Sequence, residues 1–285
     1  MNRLIGTPQR FLYLLSGAFF LSATVHFAVF LSDGSSWAGP VSWRKPVEFA
    51  FSFALTTATI AWILDYLGGR ARTQWTLAIV YAAASVGEVV LITMQVWRGV
   101  PSHFNFTTAF DSAVFSVMGA LVIVIAAVTL VVLVWSLRVR RAAPSLLFAI
   151  RAGLGLLVVG QLIGFGLLQQ GLSSAFATPT SYLQAPSLGS LALPHAIALH
   201  AVQVLPLLAL LARRTQTLER DRMRIAVAGV AGYTALVAGA VVHALGDNGM
   251  GIGIGAAALL VPGVLALGAA GTAALLPLPR AVFAS

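Results

Sequence analysis

The sequence predicts an all-α polytopic membrane protein, a bundle of about eight transmembrane helices, and three observations lead to this fold class. Of its 285 residues, 59% are hydrophobic and only 9% are charged, whereas a soluble domain carries roughly 25% charged residues. The apolar residues form runs of about 20 residues, the length that a helix needs to cross a bilayer. No run alternates as the strands of a membrane β-barrel do. The chain also lacks cysteine, which excludes disulfides and thiolate metal sites.

Eight segments are predicted to span the membrane as a single transmembrane domain over residues 1–285. In chain order they are Phe11–Leu31, Val47–Leu67, Thr76–Trp97, Asp111–Leu137, Leu146–Leu168, His195–Ala212, Met223–Leu245 and Met250–Leu275. The first is longer than the core of a signal peptide and lacks a typical cleavage site, so it is interpreted as an anchor. A proline, Pro46, directly precedes the second and suits a first helical turn. The fourth starts at Asp111, whose charge suits the positive end of a helix dipole.

The later segments show signs of close helix packing or of a kink. Gly160 and Gly164 of the fifth segment form a GxxxG pair, which indicates helix packing in membranes. Pro206 interrupts the sixth segment and frees the carbonyl of Val202, so a kink is expected there. The glycine-rich start of the eighth segment follows no strand, so it indicates packing rather than a nucleotide-binding loop.

The distribution of positive charge predicts the orientation of the bundle. Of the 17 basic residues, 14 fall on one side, in or near the ends of the chain and alternate connections, and only Arg44, Lys45 and Arg98 fall on the other side. The positive-inside rule therefore predicts that both termini are cytoplasmic. The net charge of +9 is explained by this rule and by anionic headgroups, so membrane lipids are the expected partner and nucleic acid is not. A small-molecule or ion ligand stays open.

Titratable residues are concentrated toward the predicted outer side, the side of Arg44, Lys45 and Arg98. All five histidines map there: His26, His103, His195, His200 and His243. Glu88 lies about 13 Å below the outer end of its segment at 1.5 Å per residue, near the bilayer centre. A carboxylate at that depth is costly unless it is neutral, paired or facing water. Glu88 therefore indicates either a functional carboxyl or an interhelical hydrogen bond.

Polar residues near these groups extend the candidate site. Gln95 lies on the same helix face as Glu88, and Arg98 ends that face, which gives a polar stripe from mid-membrane to the outer surface. Gln203 lies one turn below His200. Further candidates lie in or next to the outer loops: Arg44, Lys45, Glu48, Asn105 and Asp111. Lys45 is expected to pair with Glu48 or Glu88. The uncharged loop 169–194 is interpreted as a lid or a re-entrant plug because loops of this length are usually functional or disordered.

Three segments, WRKPVEF (43–49), QVWRGVPSHFN (95–105) and HAIALHAVQVLP (195–206), resemble a recurring signature of uncharacterised multi-pass membrane proteins of bacteria. The resemblance implies a bacterial inner membrane, as does the strong preference for arginine over lysine. It implies no activity and assigns no functional residue. A rhodopsin-like function is not supported, because the only lysine, Lys45, lies outside the predicted helix interiors.

Three functions are compatible with these residues, and whether the protein is an enzyme stays open. The first is redox chemistry, with haem b ligated by His26 and His200, or with a divalent metal ion bound by His103, His200 and Glu88. The second is a proton-coupled transporter that uses Glu88. The third is an intramembrane enzyme on a lipid-like substrate, with His103 or His200 as acid or base beside Glu88 or Asp111.

Overall fold

The computed structural model describes residues 7–177, 191–216, 218–246 and 252–276, and in these ranges the protein is all-α, as predicted. Eight helices lie within the described residues, and each is long and apolar enough to cross a membrane. They are α1 Pro8–Asp33, α2 Arg44–Leu67, α3 Ala71–Trp97, α4 Ala109–Arg138, α5 Pro144–Ala177, α6 Ala192–Thr215, α7 Glu219–Gly246 and α8 Ile254–Leu275. The chain is therefore a multi-pass membrane protein.

Most helices extend a few residues beyond the predicted segments, and α5 differs most. It continues to Ala177, and α6 begins at Ala192, so residues 169–177 of the predicted loop 169–194 are helical. Ser173 donates its hydroxyl to the carbonyl of Gln169 at 2.9 Å, a bond that lets a polar residue remain inside a helix. Apolar run length underestimates such a helix because its polar last turns lie beyond the hydrocarbon. Residues 178–190 and Met250 lie outside the described residues.

Unit 1 comprises residues 7–132 and 165–177 of the described chain. Small residues bring α1 and α2 together, with Ala23, Ala50 and Ala54 packed around Phe19 and Val89. The hydroxyl of Ser16 on α1 donates to the carbonyl of Ala54 on α2 at 2.7 Å. At the other end of α2, the Gln74 amide donates to the carbonyls of Leu64 and Gly68. This side chain satisfies carbonyls that a helix end leaves without a partner.

Unit 2 comprises residues 133–164, 191–216, 218–246 and 252–276. Glycines of α5 let α6 approach closely: a Cβ atom at Gly160 would lie 2.9 Å from the backbone nitrogen of Leu199, and one at Gly164 would lie 2.7 Å from Cε1 of His195. These contacts confirm the packing role predicted for the GxxxG pair. Helices α7 and α8 cross at Gly232 and Gly263 in the same way.

Side chains from distant segments satisfy three helix ends in unit 2. The Arg151 guanidinium donates to the carbonyls of Ser136 and Val139 at the end of α4. Glu219 accepts the backbone N–H of Ser145 at 2.7 Å in the first turn of α5. The Gln216 amide donates to two carbonyls at the end of α8. The connections on this side are thus tied to the helices they neighbour.

We expect the α7–α8 crossing to be intolerant of a single methyl group. In Gly232→Ala the new Cβ would lie 2.8 Å from the backbone nitrogen of Leu267 and 2.9 Å from the carbonyl oxygen of Gly263, neither of which can rotate away. Overpacking of this kind costs about 1–3 kcal/mol, so thermal unfolding in detergent should begin at a lower temperature. Gly268→Ala is the control, because nothing lies within 4 Å of a Cβ there. Equal melting of the two variants would contradict this account of the crossing.

Candidate functional site

His26, a predicted haem ligand, is buried in unit 1 with both ring nitrogens in hydrogen bonds. Its Nδ1 lies 2.7 Å from the carbonyl oxygen of Ser22, and its Nε2 lies 3.1 Å from the indole nitrogen of Trp97. An indole N–H can only donate, so Nε2 is the acceptor and Nδ1 carries the proton. The imidazole also stacks on Trp43. Neither nitrogen has a lone pair available for iron, so this arrangement does not fit haem ligation.

Asp111 accepts hydrogen bonds from the residues at the predicted outer end of the polar stripe. Its Oδ1 accepts from Arg98 Nη1 at 2.7 Å and from Gln95 Nε2 at 3.0 Å, and the same Arg98 nitrogen also donates to Gln95 Oε1. Its Oδ2 accepts from Thr108 at 2.7 Å, while the Thr108 hydroxyl accepts the backbone N–H of Asp111 at 3.1 Å. The predicted role of Asp111 at the start of a helix is confirmed. The carboxylate is fully bonded and therefore structural.

The loop between α3 and α4 is held by its own side chains and by aromatic packing. Asn105 is buried; its amide donates to the carbonyl of Pro101, and its oxygen accepts both donors of Thr107. Phe104 has a φ of 55°, a left-handed conformation that is strained for a bulky residue. Its ring fills the space above Gly171 of α5, where a Cβ would overlap it. The strain is thus maintained by packing.

His103 of this loop lies against the first turns of α2. Its ring centroid is 5.6 Å from that of Phe49, and its Nδ1 lies 2.9 Å from the hydroxyl oxygen of Ser102. Burial, and to a smaller extent the positive charge of Lys45, lower the pKa of His103 from 6.5 to about 3. The imidazole is therefore neutral near physiological pH.

Among the described residues, Lys45 does not form the expected ion pair with Glu48 or Glu88. Glu48 pairs with Arg44 at 3.7 Å, an i,i+4 pair on the surface of α2, and the ion pairs of the described residues include neither Lys45 nor Glu88. Both the i,i+3 and the i,i+4 spacing allow an ion pair on a helix, and in the structure Glu48 takes the i,i+4 partner Arg44.

Glu88 is almost completely buried in the middle of α3, with a relative exposure of 1%. Its Oε1 makes no hydrogen bond to the described residues, and the bonded part of the predicted stripe ends at Gln95. Tyr81 and Ser85 are buried on the same face of α3, and the Tyr81 hydroxyl lies near the buried hydroxyl of Thr57 on α2. Glu88 thus ends a seam of hydroxyl groups, which we call the α3 seam: Thr57, Tyr81, Ser85 and Glu88.

An apolar layer separates the α3 seam from the polar groups at the predicted outer side. Ile92 follows Glu88 by about one turn and packs with Val114 and Met118 of α4, with Phe49 against them. Phe49 also contacts His103. Glu88 is therefore closed off on this side by side chains of α2, α3 and α4.

In unit 2, the ring of His195 is hydrogen-bonded, whereas the ring of His200 makes no hydrogen bond to the described residues. His195 Nδ1 lies 2.7 Å from the carbonyl oxygen of Gly160, which fixes its ring in the groove over α5. His200 is partly buried one to two turns further along α6 and makes no hydrogen bond to the described residues. Gln203 lies one turn deeper, and His243 lies in the last turn of α7. Tyr233 of α7 donates to the carbonyl of Ile197 at 2.8 Å.

The proposed metal ligands do not form a recognisable centre. Within the described ranges, no group of three or more His, Asp or Glu side chains is arranged to hold a metal ion. The geometry also shows residues that sequence reasoning missed. They are Tyr81 and Ser85 on the face of α3 that carries Glu88, Thr57 near Tyr81, Ser42 beside Lys45, and Trp43 and Trp97 around His26. Tyr81, Ser85 and Glu88 recur at helical spacing, and that signal could have revealed the α3 seam.

Comparisons with known protein families, with curated proteins and with solved structures give no match to this chain.

Removing the Asp111 carboxylate should loosen the end of unit 1 that contains the α3–α4 loop. In Asp111→Ala, the Arg98 guanidinium, the Gln95 amide and the Thr108 hydroxyl each lose an acceptor. Of these, Gln95 is completely buried, and a buried donor left without a partner is costly. We expect the thermal midpoint in detergent to fall by several degrees. Ser116→Ala, which removes an exposed hydroxyl from the same helix, should leave it unchanged. A stable Asp111→Ala protein would show that the network is dispensable.

Acidification should destabilise the protein through His103. The pKa of His103 is about 3 in the folded protein and 6.5 when exposed, so between these values the unfolded chain binds more protons. Stability contributed by the neutral imidazole is complete above the upper value and falls as the pH falls through this range. The thermal midpoint should therefore drop between about pH 7 and about pH 5, and less in His103→Gln. An equal drop in both proteins would assign the effect to other groups.

Proposed function

We propose that this protein is a proton-coupled membrane carrier in which Glu88 binds the transported proton. The observation that carries the proposal is the carboxyl of Glu88, which is 1% exposed and has an oxygen without a hydrogen-bond partner. A carboxylate in this position would have no counter-ion, and an uncompensated charge in the membrane interior costs several kcal/mol. Binding a proton removes that charge, and releasing it restores the charge, so the two states differ strongly in energy.

The surroundings of Glu88 support uptake of a proton rather than a structural role. A structural carboxyl is bonded, as Asp111 is by Gln95, Arg98 and Thr108. Glu88 instead shares a face of α3 with the hydroxyl-bearing residues Ser85 and Tyr81, which lie three and seven residues before it, and hydroxyls both donate and accept hydrogen bonds.

The apolar layer supports a carrier rather than a channel. Ile92, Val114 and Met118 close the predicted outer side of Glu88, so a proton reaches the carboxyl from that side only if these side chains move apart. A carrier needs such a barrier to open on one side at a time. The redox alternative is less favoured, because both nitrogens of His26 are engaged.

The test is proton movement by the full chain in proteoliposomes that contain a pH-sensitive dye. With an imposed membrane potential, the wild type should acidify or alkalise the lumen, and Glu88→Gln should abolish this flux because an amide carries no exchangeable acid proton. Glu88→Asp should retain part of it. Glu48→Gln is the matched control, since Glu48 is exposed on the surface of α2.

A second measurement reports on Glu88 without requiring flux. Hydrophobic carbodiimides modify protonated carboxyls that lie in apolar surroundings, so peptide mass spectrometry should find the adduct on Glu88 and not on Glu48 or Asp111. Full flux in Glu88→Gln, or a wild-type chain that carries no adduct at Glu88, would refute the proposal.

A further inference from the structure

The start of α2 has an unusual charge distribution. Arg44 and Lys45 are its first two residues, its first turn contains no acidic residue, and Trp43 supplies no side-chain cap. A helix N-terminus carries a partial positive charge that favours anions and disfavours cations. Glu48 forms its ion pair with Arg44, and the ion pairs of the described residues do not include Lys45. The first turn of α2 thus has the electrostatics of an anion site.

A buried hydroxyl at the same turn lacks the partner it needs. Ser42 is 2% exposed, and its Oγ makes no hydrogen bond to the described residues. Its carbonyl accepts the backbone N–H of Lys45 at 3.3 Å, so Ser42 is held against the first turn. Nε of Arg44 is buried and likewise has no hydrogen-bond partner in the part of the chain that the structure describes. Buried polar groups in proteins almost always have a partner, and two such groups next to Lys45 indicate a polar ligand.

The α3–α4 loop places a second hydrogen-bond donor, the His103 imidazole, near the first turns of α2. The His103 ring packs on Phe49, which lies one turn after Lys45 on the same face of α2. Ser102 is bonded to Nδ1 of His103 at 2.9 Å. When the Ser102 hydroxyl donates to Nδ1, the proton of the neutral imidazole is on Nε2, which becomes a hydrogen-bond donor.

We propose that Ser42, Lys45 and His103 form a binding site for a phosphate-type anion. Its oxygens would accept hydrogen bonds from the ammonium, the hydroxyl and the imidazole, and the partial charge of the α2 terminus would favour its negative charge. The same chemistry describes free inorganic phosphate and the phosphodiester of an anionic lipid. The site is independent of Glu88 and does not rest on the proposed proton transport.

Lys45 makes the site directly testable because it is the only lysine in the sequence. The full chain is treated with an amine-acylating reagent, and the rate of Lys45 modification is followed by peptide mass spectrometry, with the N-terminal amine as an internal reference. Only the unliganded amine reacts, so inorganic phosphate at about ten times its Kd should slow the reaction about tenfold relative to chloride at equal ionic strength. Ser42→Ala and His103→Gln should weaken this protection, and Arg72→Gln, which removes an exposed charge far along the chain, should not.

A second arm identifies the source of the phosphate. The reaction is repeated without added phosphate in nanodiscs of phosphatidylglycerol and of phosphatidylcholine. Protection in phosphatidylglycerol alone, lost in His103→Gln, identifies a lipid headgroup, whereas protection by inorganic phosphate in detergent identifies the free ion. An absence of protection in every arm overturns the proposal. Protection of the same size in Ser42→Ala and His103→Gln also overturns it, because shielding by the bilayer alone would not depend on these residues.

Discussion

Unpaired backbone groups at helix ends are the constraint on which this structure depends. A membrane-spanning helix satisfies its own backbone except in its first and last turns, where the donors and acceptors need other partners. Here distant side chains supply them: Gln74 bonds the end of α2, Arg151 the end of α4, and Gln216 the end of α8. Each of these bonds fixes a connection as well as a helix end. Polar residues that an inspection of composition would assign to the surface are therefore structural.

Because most buried polar side chains among the described residues are hydrogen-bonded, the buried side chains that lack a partner there are candidates for function. Asp111 and His195 are titratable and lie in helices, yet each is engaged in hydrogen bonds that explain its presence. Glu88 and Ser42 are as deeply buried, yet each has an oxygen without a partner. Both lie in unit 1, and the layer of Ile92, Val114 and Met118 adjoins Glu88. Glu88 and Ser42 differ in chemistry: Glu88 is an acid that can bind a proton, and Ser42 is a donor that can bind an anion.

The sequence was sufficient to predict the helices, because run length and hydrophobicity are set by the bilayer. It also predicted the burial of Glu88 and the role of Asp111 at a helix start, both of which follow from position within a helix. It could not predict the engagement of His26, which depends on Trp97 reaching it from another helix. The length of α5 was underestimated because its last turns are polar. The hydroxyls of Thr57 and Tyr81 were missed because such residues often occur in membrane helices without a functional role.

The contact between Phe104 and Gly171 has a consequence for the biogenesis of the protein. The ring of Phe104 packs where Gly171 leaves room, and the aromatic packing of Phe104 on Phe115 belongs to the same region. The nascent chain emerges from the ribosome N-terminus first, so the α3–α4 loop leaves the ribosome before Gly171 is synthesised. The loop cannot reach its final conformation until α5 has been inserted into the membrane. The end of unit 1 that contains the α3–α4 loop is therefore completed only after helices α1 to α4 have been translated.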